Sequence, residues 1–236
     1  MSKNDLTIVT GASRGIGYGI ALRLAEEKHD VMIFGRDVDA LKKVQKEISD
    51  KGVECNYYSG DVNDVKFVNK SVKEIQNKFG KVDHLINNAG IGILKPFVES
   101  TLDEFKIQVD TNLYGVYNFT KAVINGMIER KSGSIINIAS LAGKNSFVGG
   151  TMYSATKHAL LGFTRSLMLE VRQYDIRVAA VCPGSVYTEF GSGLQARRKD
   201  YILHIEDVAH AVLAIMKLPV TALMSEIDLR PTNPKK

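Results

Sequence analysis

Directly after a short apolar run at residues 6–10, the chain contains the stretch Thr10-Gly11-Ala12-Ser13-Arg14-Gly15-Ile16-Gly17, which opens a segment with helical periodicity. Glycine permits the tight turn that such a junction requires, and it lets backbone N–H groups approach a bound phosphate. The positive end of the following helix attracts the same phosphate. The spacing T-G-x-x-x-G-x-G at a strand-to-helix junction therefore predicts a pyrophosphate-binding turn.

The same residues also fit a second motif. Gly11-Ala12-Ser13-Arg14-Gly15 matches G-x-S-x-G, the nucleophile turn of hydrolases, which also joins a strand to a helix. In hydrolases an oxyanion loop and several strands precede the nucleophile, whereas twelve residues precede Ser13. We therefore prefer the phosphate-binding interpretation.

Outside this turn, apolar β-branched runs alternate with amphipathic segments. The predicted strands lie at residues 6–10, 31–34, 55–58, 85–86, 135–139, 176–182 and 227–229. The predicted helices lie at residues 16–28, 38–51, 64–79, 102–130, 153–174 and 205–216. This alternation predicts an α/β fold in which a Rossmann-type, doubly wound parallel sheet of about seven strands carries helices on both faces. We expect one domain over residues 1–236, with a ligand crevice beyond the carboxyl ends of the strands.

The composition is that of an ordinary globular chain. Hydrophobic residues make up 44% and charged residues 24% of the 236 residues, and no run of eighteen apolar residues occurs. We expect no membrane span and no secretion signal, and therefore a cytoplasmic protein without a membrane partner. The net charge of +5 is scattered among acidic residues, and we therefore expect no nucleic-acid partner. Cys55 and Cys182 match neither a disulfide framework nor a CxxC pattern, so no metal centre is expected.

A tyrosine, a lysine and a serine are the candidate catalytic residues. Tyr153 and Lys157 are four residues apart near the start of a predicted helix, so both project from one face. A nearby ammonium favours the phenolate, and we predict that Lys157 lowers the pKa of Tyr153 enough for acid-base catalysis. Ser140 ends a predicted strand, where its hydroxyl can hydrogen-bond a carbonyl oxygen. A surface helix with a tyrosine anchor and a solvated lysine is the ordinary structural alternative.

Taken together, these motifs resemble the short-chain dehydrogenase/reductase family, in its short single-domain form, over nearly the whole chain. The order and spacing of the matching residues agree throughout, and the front of the chain is similar to 3-oxoacyl carrier-protein reductases. The segment Ser225-Glu226-Ile227-Asp228-Leu229-Arg230-Pro231 departs from the glycine-rich end of those enzymes, which weakens the link to fatty-acid synthesis. The matching residues are 10–17, Asp61-Val62, Asn87-Asn88-Ala89-Gly90, Asn112, Ser140, Tyr153 with Lys157, and Pro183-Gly184.

The resemblance implies a role for each matching residue. Tyr153 would be the acid-base, Lys157 would hold the nicotinamide ribose, Ser140 would orient the carbonyl, and Asn112 would support a proton-relay water. Asp61, Asn88 and Asn112 also have ordinary explanations, as a turn former, a loop residue and a locally bonded helix residue. The implied cofactor-binding residues are Gly11, Ser13, Arg14, Gly15, Ile16, Gly17, Arg36, Asp61, Val62, Asn88, Ala89, Gly90, Tyr153, Lys157, Pro183, Gly184, Val186 and Thr188.

The end of the second predicted strand indicates NADP(H) as the cofactor. An acidic residue at this point binds the ribose 2′-hydroxyl of NAD, whereas an arginine accommodates the 2′-phosphate of NADP. Gly35-Arg36 stands here, and the Arg36 guanidinium can bind a phosphate bidentately. Arg14 can approach the same phosphate from the glycine turn. Asp37 keeps NAD as an alternative, although it lies two positions beyond the expected site.

The sequence predicts hydride transfer between the nicotinamide and a small-molecule carbonyl or secondary alcohol, without identifying the substrate. Substrate contacts are expected from residues 143–152 and from the stretch after Thr188, with residues 189–199 as a short lid. A non-catalytic NADP(H)-binding sensor on the same fold is the rival interpretation. The resemblance implies a homodimer or homotetramer paired through helices 102–130 and 153–174, where Ala155, Ala159 and Gly162 permit close approach.

Overall fold

The computed structural model describes residues 4–190 and 201–233, in which seven parallel strands form one sheet. The strand order is β3-β2-β1-β4-β5-β6-β7. The predicted doubly wound parallel sheet is therefore confirmed. The strands are β1 (Leu6–Thr10), β2 (Asp30–Gly35), β3 (Cys55–Ser59), β4 (His84–Asn87), β5 (Gly133–Ile138), β6 (Ile176–Pro183) and β7 (Glu226–Leu229).

Helices cover both faces of this sheet. Helices α1, α2 and α7 pack on one face around Ile20, Leu41 and Val212, and α3, α5 and α6 pack on the other around Ile75, Phe119 and Val171. None of the helices within residues 4–190 and 201–233 has the length and hydropathy that a membrane span requires. The helices are α1 (Gly15–Glu26), α2 (Val38–Ser49), α3 (Val65–Phe79), α4 (Leu102–Val109), α5 (Gly115–Arg130), α6 (Thr151–Val171) and α7 (Ile205–Met216).

Local sequence signals set several helix ends. The Asp37 carboxylate accepts a hydrogen bond from Ala40 N at 3.0 Å and begins α2. Thr101 and Glu104 form a capping box at the start of α4. Gly80 ends α3 in the left-handed conformation, with a φ of 81°.

The predicted helix at residues 102–130 is not a single α-helix. Helix α4 ends at Val109, a π-helical turn spans Asp110–Tyr114, and α5 begins at Gly115. A π-turn inserts one extra residue into the helical repeat and often lies at a functional site. Here it contains Asn112, one of the predicted catalytic residues.

The order of the strands positions the ligand crevice. Strands β2 and β3 lie in sequence order on one side of β1, whereas β4 lies on the other side of β1. The segments that follow β1 and β4 therefore diverge at their carboxyl ends. An open crevice at this reversal is the usual ligand site of doubly wound sheets.

Candidate active site

A cavity of about 760 Å³ opens at the carboxyl ends of the central strands. Of the predicted site residues, Gly17 and Asn112 lie outside its lining, and the structure brings the remainder together. The predicted residues that line it are Gly11, Ser13, Arg14, Gly15, Ile16, Arg36, Asp61, Val62, Asn88, Ala89, Gly90, Ser140, Tyr153, Lys157, Pro183, Gly184, Val186 and Thr188.

The glycine turn after β1 requires glycine for two separate reasons. Gly11 and Gly15 adopt φ values of 65° and 59°, which side chains other than glycine rarely adopt. Gly17 has no such torsion, but a Cβ atom there would lie 2.4 Å from both Asn88 Nδ2 and Gly11 O. Gly17 therefore serves the packing of α1 against the turn, which explains why it does not line the cavity.

Hydrogen bonds join this turn to the segment after β4. The Thr10 hydroxyl accepts from the backbone N–H groups of Asn88 and Ala89, at 3.0 Å each. The Asn88 side-chain amide donates to Thr10 O at 3.0 Å and to Gly11 O at 3.1 Å. Asn88 therefore positions the glycine turn as well as lining the cavity. The role of Thr10, which opens the glycine motif, was not predicted from the sequence.

Basic and acidic residues stand where β2 and β3 end. Arg36 is exposed and lines the cavity, and its carbonyl accepts from the Ser59 hydroxyl at 3.1 Å. Asp37 caps α2 and is not among the lining residues. Asp61 lines the cavity and also accepts from Asn63 N at 2.9 Å, which is the turn-forming role considered for it. Arg14 forms an exposed ion pair with Glu189, at 3.1 Å.

Tyr153, Ser140 and Lys157 meet at the other end of the cavity. Tyr153 and Lys157 lie one turn apart on α6 and are both buried, and the Ser140 side chain interacts with that of Tyr153. Lys157 Nζ donates to Ile138 O at 2.9 Å and lies 5.8 Å from the centroid of the Tyr153 ring. This burial excludes the solvated-lysine alternative for the pair.

The lining fits a phosphorylated dinucleotide in its chemistry and extends across several strands. Arg36 follows β2, and Lys157 is bonded to the last residue of β5. Three strand spacings separate β2 from β5, which corresponds to about 14 Å. Guanidinium groups therefore mark one end, the glycine turn lies between, and a buried ammonium with several N–H donors marks the other.

Comparison with known proteins agrees with this arrangement. Residues 5–199 match the family model of the short chain dehydrogenases. The chain belongs to the short-chain dehydrogenase family. A 3-oxoacyl-acyl-carrier-protein reductase of Chlamydia muridarum is 37% identical over 198 residues, which cover 84% of this chain and 80% of that protein.

Solved structures of this short-chain dehydrogenase fold superpose closely. An alcohol dehydrogenase of Thermococcus sibiricus, complexed with 5-hydroxy-NADP, is 31% identical, with a TM-score of 0.91 and coverage of 99% of this chain and 100% of that one. A variant actinorhodin polyketide ketoreductase with NADPH is also 31% identical, with a TM-score of 0.90 and coverage of 97% and 96%.

In this short-chain dehydrogenase, Asn112 lies outside the cavity lining and links two of the segments that form the site. Its side chain accepts from Ile91 N, donates to Ile91 O and donates to the Thr156 hydroxyl, at 2.9 Å in each case. Asn112 thereby joins the segment after β4 to helix α6, which carries Tyr153. Asn112 was predicted to support a proton-relay water; it lies beside the site, and its side-chain amide is hydrogen-bonded to Ile91 and Thr156.

The predicted lowering of the Tyr153 pKa is wrong for this structure. Burial raises the pKa of Tyr153 above its usual 10, and the interaction with Ser140 offsets part of that rise. Burial also lowers the pKa of Lys157 to about 8. Spacing in the sequence revealed the proximity of the two groups but not their removal from water, which dominates both pKa values.

Several lining residues were not assigned individually from sequence. Asn145, Ser146 and Phe147 fall in the expected substrate stretch 143–152, whereas no sequence signal indicated Leu94. Phe190 packs against Tyr153, with ring centroids 5.8 Å apart. Of the lid predicted at 189–199, residues 191–199 lie outside the described residues.

Proposed function

We propose that this short-chain dehydrogenase uses NADP(H) to interconvert a small-molecule carbonyl compound and its secondary alcohol, with Tyr153 as the general acid and base. The observation that carries this proposal is the meeting of Tyr153, Ser140 and Lys157 in the cavity that the glycine turn also lines. The NADP-type ligands of the related structures support the choice of cofactor. We further propose that residues 1–236 act as one dinucleotide-binding domain.

The cofactor would be held along the whole cavity. The glycine turn and the start of α1 would hold the pyrophosphate, because backbone N–H groups and the helix dipole favour negative charge there. Arg36 would bind the 2′-phosphate, assisted by Arg14 once that guanidinium exchanges Glu189 for the phosphate. Asp61 and Val62 would flank the adenine ring. Residues 88–90 would line the adenosine and ribose side of the cofactor. The nicotinamide carboxamide would be flanked by Pro183, Gly184, Val186 and Thr188.

The chain's own residues would manage the proton. Nicotinamide supplies the hydride when it is bound. The raised pKa of Tyr153 keeps the phenol protonated at neutral pH, and this is the form that delivers a proton to the carbonyl oxygen during reduction. The Ser140 hydroxyl donates a hydrogen bond to the same oxygen as negative charge develops on it.

Lys157 would bind the nicotinamide ribose and stabilise negative charge on Tyr153. Its ammonium carries three N–H donors, of which one binds Ile138 O, so two remain to reach ribose hydroxyls. Once Tyr153 has given up its proton, the nearby ammonium stabilises the phenolate. Asn112 is proposed to keep this helix and the segment around Ile91 in register, rather than to contact the substrate.

The remainder of the lining favours a carbonyl substrate with an apolar body. Leu94, Phe147 and Phe190 form apolar walls, and Asn145 and Ser146 add hydrogen-bonding groups. Apolar walls with a few polar groups are the usual composition of small-molecule sites. Aldehydes, ketones, diketones, quinones and acyl thioesters are therefore the classes to test.

The decisive experiment is NADPH oxidation against this carbonyl panel, with Tyr153→Phe as the test variant. We expect Tyr153→Phe to lower kcat by roughly 10²–10⁴-fold while NADPH binding persists, because the proton donor alone is removed. Tyr18→Phe is the matched control, since Tyr18 hydrogen-bonds Glu47 outside the cavity. NADPH binding without turnover of any carbonyl would favour the rival function of a non-catalytic sensor.

We also propose a homodimer or homotetramer. Ala155, Ala159 and Gly162 lie on an exposed face of α6. Tyr114, directly before α5, and Tyr117, in its first turn, are about half exposed. Small residues let two helices approach closely, and exposed aromatic side chains gain from burial between subunits. Light scattering on the purified protein measures the assembly directly, and a monomer at micromolar concentration would contradict the proposal.

A further inference from the structure

The amino-terminal edge of the sheet, opposite the cavity, brings two histidines and a carboxylate together. Asp5 precedes β1, His29 precedes β2 and His84 begins β4, and β1 lies between the other two strands. One ligand atom from each residue lies within 4.8 Å of the others. His84 Nε2 is 3.6 Å from Asp5 Oδ2, and the two imidazole centroids are 5.5 Å apart.

A buried hydroxyl lies against the Nδ1 atom of each ring. His29 Nδ1 is 3.2 Å from the Thr7 hydroxyl, and His84 Nδ1 is 2.6 Å from the Ser134 hydroxyl. Thr7 and Ser134 are buried in their strands, so these hydroxyls are fixed in place. When each Nδ1–H donates to its hydroxyl, the Nε2 lone pair is available. A partner on the second nitrogen is the usual companion of a metal-binding histidine.

We propose that His29, His84 and Asp5 bind a divalent transition metal ion, with Zn²⁺ as the best-suited type. Imidazole nitrogen and carboxylate oxygen are ligands that Zn²⁺ prefers, and a water completes its tetrahedron. With bonds of ~2.1 Å, tetrahedral ligand atoms lie about 3.4 Å apart. The 3.6 Å separation of His84 and Asp5 is close to this value, and the His29 ligand atom, within 4.8 Å of the other two, needs to move by about 1.5 Å or less.

The position of the site indicates its role. The His84 side chain is 13% exposed and that of Asp5 is 56% exposed, so an ion can arrive from solvent and be partly enclosed. The metal would join the beginnings of three neighbouring strands. Because the cavity lies at the opposite end of those strands, binding is expected to raise stability without changing catalysis.

Lys81 opposes the site and provides a sharp test. Its Nζ lies 3.8 Å from Asp5 Oδ1 and 2.8 Å from Asp83 Oδ1, so its charge repels an incoming cation. We expect Lys81→Gln to tighten metal binding by roughly fivefold, which corresponds to about 1 kcal/mol. A variant that binds more weakly than the wild type would overturn this electrostatic account and the assigned position of the ion.

Equilibrium dialysis of the untagged protein against Zn²⁺ alone, with metal analysis, tests the site itself. We expect one bound equivalent, an affinity at least tenfold lower in His29→Ala and His84→Ala, and no change in His210→Ala, whose histidine is exposed on α7. Thr7→Val and Ser134→Ala, which remove the orienting hydroxyls, should cost roughly tenfold each.

Thermal unfolding supplies an independent measurement. Zn²⁺ is expected to raise the Tm of the wild type and of His210→Ala, but not that of His84→Ala. Asp5→Asn replaces one atom of an exposed side chain, and it tests the site even where a histidine variant fails to fold. Failure of the wild type to bind at about 100 μM Zn²⁺, or undiminished binding by His29→Ala and His84→Ala, would overturn the proposal.

Discussion

The substitution Lys157→Met tests whether burial of the Lys157 ammonium destabilises the folded protein. Lys157 is buried beside Tyr153, and burial lowers its pKa from the usual 10.5 to about 8. Methionine keeps a similar unbranched length and needs no hydration, so it should fill the space without leaving a large cavity. We therefore expect the cofactor-free variant to be more stable than the wild type and to lack activity.

The size of the effect follows from the pKa shift. A depression from 10.5 to about 8, at 1.36 kcal/mol per unit, corresponds to about 3 kcal/mol of destabilisation at pH 7. Between pH 8 and 10.5 the unfolded chain holds more protons at this lysine than the folded chain, so the penalty falls as pH rises and is about 1.5 kcal/mol at pH 9.5. Losing the hydrogen bond to Ile138 O costs about 1 kcal/mol. The expected net gain is about 2 kcal/mol at pH 7 and near zero at pH 9.5.

Urea unfolding of cofactor-free wild type and variant at both pH values measures this difference. Burial raises the pKa of Cys55 to about 12 and that of Cys182 to about 11. Lys157 interacts electrostatically with the Cys182 thiol, but both folded thiols stay protonated at pH 9.5, so their contribution is nearly the same in the two proteins. Lys121→Met, on an exposed position of α5, is the control and should show no pH-dependent difference. A less stable Lys157→Met at pH 7, or a gain that is equal at both pH values, would refute the reasoning.

Three further substitutions probe the cofactor and the frame of the site. Arg36→Asp should weaken NADPH binding by roughly 10–100-fold and NADH binding much less, measured by fluorescence titration, because the charged partner of the 2′-phosphate is lost; equal losses would remove that role. Asn112→Ala should lower the free energy of unfolding by about 2–4 kcal/mol in urea, since Ile91 N–H and C=O both lose a partner; an unchanged midpoint would contradict the bracing role. Gly17→Ala should cost about 1–3 kcal/mol and weaken NADPH binding, because its Cβ would lie 2.4 Å from Gly11 O; wild-type behaviour would show that the turn can relax.

The sheet was predictable because its signals are local. Each strand is a short apolar run, and each boundary differs from the prediction by a few residues at most: β4, for example, extends to His84 and Asn87 on either side of the apolar pair at 85–86. The glycine turn and the proximity of Tyr153 to Lys157 were also predictable from the spacing of residues within one segment. Neither feature depends on contacts with residues that are distant in the sequence.

The features that escaped prediction depend on contacts between distant segments. The π-turn at Asp110–Tyr114 contains neither proline nor glycine, and Asn112 within it bonds Ile91 and Thr156, which are 21 and 44 residues away. The pKa of Tyr153 likewise depends on burial, which no spacing reveals. Phe190 reaches the site from a segment whose sequence carries no pattern of its own.

The departures from ordinary local rules concentrate where chemistry is proposed. A lysine is buried with a depressed pKa, a helix carries a π-turn, and the glycines at 11 and 15 adopt left-handed torsions, all around one cavity. Within residues 4–190 and 201–233, the left-handed residues other than glycine are Lys28, Lys131 and Asp175, which follow helices that lead into strands, where such torsions end a helix. Local features that lower the stability of a fold and do not improve its packing persist when function requires them. If Lys157→Met gains stability and loses activity, a single side chain will have been shown to lower the stability of the fold while supporting its function.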